Sequence, residues 1–217
     1  MVFKNRQEAG KQLAVELINL RKENPFVLAM PRGGVPIGYE IAEILQAPLE
    51  VIVVRKIGLS GNSEFGIGAI AEGGVEILDE VTINALGINR EEINNTIRLE
   101  TFELNRRVKT YRGERQLPDL AGRTAILVDD GMATGLTAEA GIEAVKKLNP
   151  KKIIIACPVC PRGTYETSLK EVDGVICLAI PSEFMAVGAW YDDFRVVSDE
   201  EVGALLKKAN ETKRTSG

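Results

Sequence analysis

Hydrophobic positions in this chain follow a helical period in some stretches and form continuous runs in others. Ala9, Leu13, Leu17 and Leu20 fall on one stripe, which predicts a helix over 5–23. FVLAM, 26–30, is a short apolar run, followed by PRGGVP and a helical IGYEIAEIL. LEVIVV, 49–54, predicts a second buried strand, and a Gly-rich segment over 57–74 leads to a short strand at VEIL. Over 89–112, Ile93, Ile97, Leu104, Val108 and Tyr111 line one face of a long helix whose other face is mostly charged. Asn89 and Glu92 have the spacing of a capping box at its start. This helix is expected to rest on the core or on a second subunit. TAILV (124–128), KIIIACP (152–158) and GVICLAI (174–180) complete the strands, with helices over 135–148 and 162–171 between them. The closing KKANETKRTSG is polar and reads as a disordered tail, 208–217.

Strands alternating with helices imply an α/β fold, a mostly parallel sheet with helices on both faces. With 217 residues, no internal repeat and no linker-like stretch, the expectation is a single domain over 1–217. Ligands of such sheets bind beyond the carboxyl ends of the strands, so chemistry is expected in the loops after residues 30, 54, 128 and 157.

Composition narrows the chemistry. The formal charge of -4 gives no general attraction to a polyanion, so nucleic acid is not an expected partner. No run resembles a signal peptide or approaches a membrane span, and the expected placement is cytoplasmic. Histidine is absent, which excludes Ser-His and Cys-His catalysis and histidine metal sites. Cys157 and Cys160 form a C-x-x-C, but no second pair accompanies it and prolines at 158 and 161 interrupt it. These two, and Cys177, read as core residues.

The candidate chemistry lies in ILVDDGMATGLT, 126–137. After a buried strand come paired carboxylates, Asp129 and Asp130. Gly131 and Gly135 then permit a tight turn into a helix start whose N-H groups suit a phosphate monoester, with Thr134 and Thr137 as further donors. An NTPase Gly-Lys-Ser/Thr is missing. An Asp-Gly turn plus a helix cap would explain either half alone. The five fixed positions together are expected by chance on the order of once in ten thousand chains of this length.

This motif resembles the phosphoribosyl pyrophosphate (PRPP) motif of type I phosphoribosyltransferases. The resemblance implies that Asp129 and Asp130 hold the ribose hydroxyls, directly or through Mg2+, and that Ala133, Thr134, Gly135, Leu136 and Thr137 cradle the 5-phosphate. MPRGGVP looks like the family's pyrophosphate loop, with Arg32, Gly33 and Gly34 meeting the anion and a cis peptide expected at Pro31-Arg32. RKIGLSGNSEFGIGAIAEGG looks like the catalytic flexible loop, in which Arg55 and Lys56 neutralise pyrophosphate and Glu72 or Glu64 faces the base. IPSEFMAVGAWYDDF resembles a small hood, about 180–197, with Phe184, Val187, Trp190 and Tyr191 as base-binding candidates.

One departure matters: 6-oxopurine members carry an acidic residue where this chain has Ala133, which cannot transfer a proton. The implied function is Mg2+-dependent transfer of phosphoribose from PRPP to a nucleobase-like acceptor, purine-type, by a homodimer. Two other readings stay open from sequence: a regulator that senses PRPP or a nucleotide on the same fold, and an enzyme acting on another ribose 5-phosphate compound.

Overall fold

A computed structural model describes residues 2–59 and 62–214, with side chains for all of these except 62–64 and 212–214. Five parallel strands form the main sheet: β1 (Pro25–Ala29), β2 (Leu49–Val51), β6 (Thr124–Val128), β7 (Lys152–Val159) and β8 (Gly174–Ala179), in the order β2-β1-β6-β7-β8. β1 and β6 are buried along their whole length, as expected of strands covered on both faces. One face carries α1 (Arg6–Glu16), α2 (Gly34–Leu45) and α7 (Asp199–Arg214), whose Leu13, Ile37, Ile41 and Val202 pack over Val27 and Ile126. On the other face, α5 (Leu136–Lys146) sets Ala138, Ile142 and Val145 against Leu28, Leu127 and Ile155.

A second, antiparallel sheet joins β3 (Val54–Leu59), β4 (Asn62–Ala71) and β5 (Val75–Leu78) beside the carboxyl ends of β1 and β2. It is tied there by Ile52 N donating to Ala29 O and Glu72 N donating to Val53 O, both at 3.1 Å. Helices α3 (Glu80–Leu86) and α4 (Arg90–Arg112) follow it, and α6 (Arg162–Ser168) links β7 to β8.

Several expected elements change. The helix over 5–23 ends at Glu16 and continues as a 3-10 turn, Ile18–Glu23, because Asn24 takes a left-handed conformation (φ 52) to enter β1. The run 49–54 divides: Leu49–Val51 pairs with β1, and Val54 opens the antiparallel ribbon. Within the Gly-rich segment, 57–59 and 62–71 therefore lie in paired strands, with register shifts around Gly58, where a flexible loop was expected. Residues 208–214, read from sequence as part of a disordered tail, are helical. Buried Val202, Leu206 and Ala209 recur along α7 and keep it helical to Arg214. Asn89 does cap α4, its Oδ1 accepting from Glu91 N at 2.8 Å. Cys157 and Cys160 are buried, and Cys157 Sγ lies 3.8 Å from Sγ of Cys177, its in-register neighbour on β8. Among the described residues, no helix is long and apolar enough to cross a membrane.

Candidate active site

Strand β6 delivers Asp129 and Asp130 to the middle of the sheet's carboxyl edge. Asp129 N donates to Ala156 O on β7, and Asp130 N donates to Asp129 Oδ1 at 2.8 Å. The following loop is fixed from both sides. Met132 N donates to Val159 O at 3.0 Å, and Thr164 Oγ1 of α6 donates to Ala133 O at 2.7 Å. Gly135 then turns the chain into α5 at φ 88, a conformation open to glycine, and no side chain caps that helix. Its first-turn N-H groups and the exposed Ala133-Thr134 segment form a concave end suited to an anion.

The loop after β1 is packed directly on this one. Pro31-Arg32 is a cis peptide, as the resemblance implied. A Cβ on Gly33 would stand 1.9 Å from Asp130 Oδ2, and one on Gly34 would stand 2.5 Å from Val128 O. Close approach thus requires both glycines, and Gly34 N already donates to Met30 O at 3.0 Å. Arg32 Nη1 lies 3.7 Å from Asp199 Oδ1 at the start of α7.

Sequence reasoning missed Arg6. From the first turn of α1, its Nε donates to Asp130 Oδ2 at 2.7 Å, and its Nη1 donates to Arg195 O at 2.8 Å. Burial pushes both aspartates above the usual carboxylate range. Asp129 is raised further by the charge of Asp130, whereas Arg6 opposes the rise at Asp130. Two adjacent hard-oxygen donors with one arginine counter-charge suit a divalent cation that keeps most of its ligands from substrate and water. Among the described residues no group of three or more acidic or cysteine side chains forms a protein-only metal cage.

The segment after β8 lies against the same edge. A Cβ on Gly131 would stand 2.5 Å from Val187 Cγ1, so Val187 covers the acidic loop. Phe184 and Trp190 are partly exposed. Tyr191 is buried between Phe3 and Phe194, at ring-centroid distances of 5.5 and 5.0 Å, and its hydroxyl donates to Asp130 O at 2.6 Å. That buried ring supports the acidic loop from within, where Tyr191 was expected to meet the base.

The ribbon residues divide. Arg55 at the start of β3 pairs with Glu100 of α4, Nη2 to Oε2 at 2.6 Å. The stem of Lys56 runs over Gly66. Glu72 is buried: one oxygen accepts from Val53 N at 2.7 Å and the other binds Arg112. Glu72 therefore anchors α4 to the ribbon and is not brought to Asp129 and Asp130. Glu64's side chain lies outside the described residues.

These loops can be compared with known proteins. The sequence model of the phosphoribosyl transferase domain matches residues 3–192. Two Mycobacterium tuberculosis proteins, of strains CDC 1551 / Oshkosh and ATCC 25618 / H37Rv, are named "Putative phosphoribosyl transferase". Each is 39% identical over 209 residues, which is 96% of this chain and 47% of theirs. The chain thus spans about half the length of these relatives. A uracil phosphoribosyltransferase of Acinetobacter baylyi is 28% identical over 120 residues, 55% of this chain and 51% of that one. Among solved structures, TT1426 of Thermus thermophilus is 37% identical with a TM-score of 0.77, covering 96% of this chain and 99% of that one. With the domain match covering all but the last part of the chain, this protein belongs to the phosphoribosyl transferase domain family.

Proposed function

We propose that the protein is a cytoplasmic, Mg2+-dependent enzyme that transfers the 5-phosphoribosyl group of PRPP to a nitrogenous base of purine type and releases pyrophosphate. One observation carries this reading: the Asp129-Asp130 pair sits between the Gly33 loop and the uncapped start of α5, so diol acceptors and two anion-binding loops share one edge. Asp129 and Asp130 accept from the ribose hydroxyls. Residues 133–137 donate to the 5-phosphate, while Arg32, Arg55 and Lys56 balance charge on the pyrophosphate. The base nitrogen forms its bond to C1 as the C1–O bond to pyrophosphate breaks, through an oxocarbenium-like state, and the base loses its proton to solvent or pyrophosphate. Asp129 and Asp130 would hold magnesium indirectly, and the ion supplies charge neutralisation on the leaving group. Ala133 offers no proton, so the chain's contribution is orientation and electrostatics. Phe184, Trp190 and Val187 supply the apolar cover over the base. Exposed Leu99 and Phe102 on α4 support the homodimer, which light scattering at several concentrations tests.

The experiment is pyrophosphate release from magnesium-PRPP with adenine, hypoxanthine, guanine, xanthine, uracil and orotate, with Asp130→Asn as control. Base-dependent release that disappears in the variant supports the reading and names the acceptor. PRPP binding without release for any base replaces it with a sensor.

A further inference from the structure

Arg6 joins three segments at the acidic loop. Besides its bonds to Asp130 and to the Arg195 carbonyl, its guanidinium carbon lies 3.9 Å from the centroid of the Phe194 ring. The side chains of Arg6 and Asp130 are only 10% and 15% exposed. A carboxylate buried this far needs a counter-charge, and one whose ring of acceptors must meet a diol needs a fixed orientation. Arg6 binds Oδ2, the oxygen that Gly33 also approaches, and Tyr191 holds the same residue by its backbone carbonyl.

We propose that Arg6 is the positioning residue of the ribose grip: by fixing Asp130 through Oδ2, it leaves Oδ1 directed to accept from the sugar, and it ties that grip to the 190–195 segment. The inference rests on the reading that this site binds PRPP. Arg6 itself makes no substrate contact, so its effect passes through Asp130. Removing it leaves the carboxylate buried without its partner and free to rotate.

The test is a double-mutant cycle on the Kd for magnesium-PRPP, measured by titration calorimetry on wild type, Arg6→Gln, Asp130→Asn and the double variant, each first checked for cooperative thermal unfolding. Arg6→Gln is expected to weaken binding about tenfold or more, Arg6→Lys to recover part of that loss, and Arg6→Gln to change binding less than about twofold once Asp130 is Asn. Should Arg6→Gln fail to fold, Arg6→Lys enters the cycle in its place, with a smaller coupling to Asp130 of the same sign. Unchanged binding in the Arg6 variants, or an equal loss with and without Asp130, overturns the proposal. Wild-type protein that does not bind magnesium-PRPP overturns the functional reading and this proposal with it, a result visible before any variant is compared.

Discussion

The guanidinium of Arg55 lies 2.6 Å from the carboxylate of Glu100, so helix α4 holds a cation that we propose meets pyrophosphate. The same helix holds a second one indirectly. Tyr111 donates to Asp199 at 2.6 Å and Arg106 at 3.1 Å, and Asp199 faces Arg32 at 3.7 Å. On the proposed function, an incoming pyrophosphate group competes with Glu100 of α4 and with Asp199 of α7, which α4 holds.

That competition predicts the effect of Glu100→Gln. Both side chains of the pair are about a quarter exposed, and such a pair contributes roughly 0.2–1 kcal/mol. Freed Arg55 should tighten inhibition by pyrophosphate by up to about fivefold. Inhibition that becomes weaker instead would mean that Glu100 directs Arg55 toward the anion.

Gly33 has no room for a methyl group, since its Cβ would stand 1.9 Å from Asp130 Oδ2. Gly33→Ala must displace the Asp130 carboxylate or the loop that carries residue 33, and a displacement on the order of 1 Å at such a site costs about a hundredfold in rate. Steady-state kinetics should show kcat/KM for PRPP falling by about that factor while the circular dichroism spectrum stays unchanged. A variant with normal kinetics would show that Asp130 does not need its present position.

Glu72 is expected to act on stability alone. The Glu72 and Arg112 side chains are 6% and 3% exposed, and removing one partner of such a pair costs about 3–5 kcal/mol. Urea unfolding of Glu72→Ala should show that loss, whereas turnover per folded molecule of Glu72→Gln should equal wild type. Loss of turnover in folded Glu72→Gln would return this residue to catalysis.

Acid stability should depend on Glu103, paired within α4, and on Asp199, paired between α4 and α7. Arg106 and then Arg107 hold Glu103 down to about 2, and Tyr111 holds Asp199 below its usual range. Both folded values lie below the unfolded ones. Their stabilisation is thus complete above the unfolded carboxylate values near 4 and is lost at lower pH, that of Glu103 as pH falls toward about 2. Glu103→Gln should flatten the thermal-stability profile in that interval and leave its shape above pH 6 unchanged; equal slopes below pH 4 would remove Glu103 from the acid transition.

The sequence by itself determined what depends on neighbouring residues. Continuous apolar runs located the strands of the parallel sheet, and the Asp-Asp pair followed by Thr-Gly-x-Thr located the acidic loop, because strand exit, turn and helix start are successive on one short stretch. The Gly33-Gly34 pair was visible for the same reason, although its purpose was not: Gly33 admits the carboxylate of Asp130 and Gly34 the carbonyl of Val128, neighbours only in space. Tertiary structure alone decided the partners. Arg6 reaches Asp130 across 124 positions, Tyr191 reaches it across 61, and Glu72 meets Arg112 across 40. No local pattern distinguishes an arginine in a first helical turn that faces solvent from one that holds a buried carboxylate. Nor does a Gly-rich stretch reveal whether its backbone groups find partners. Residues 62–71 pair with β3, and 68–71 also with β5, because the chain before and after them folds back within reach. Long-range packing, which fixes where charges are buried and which hydrogen bonds close, made these assignments.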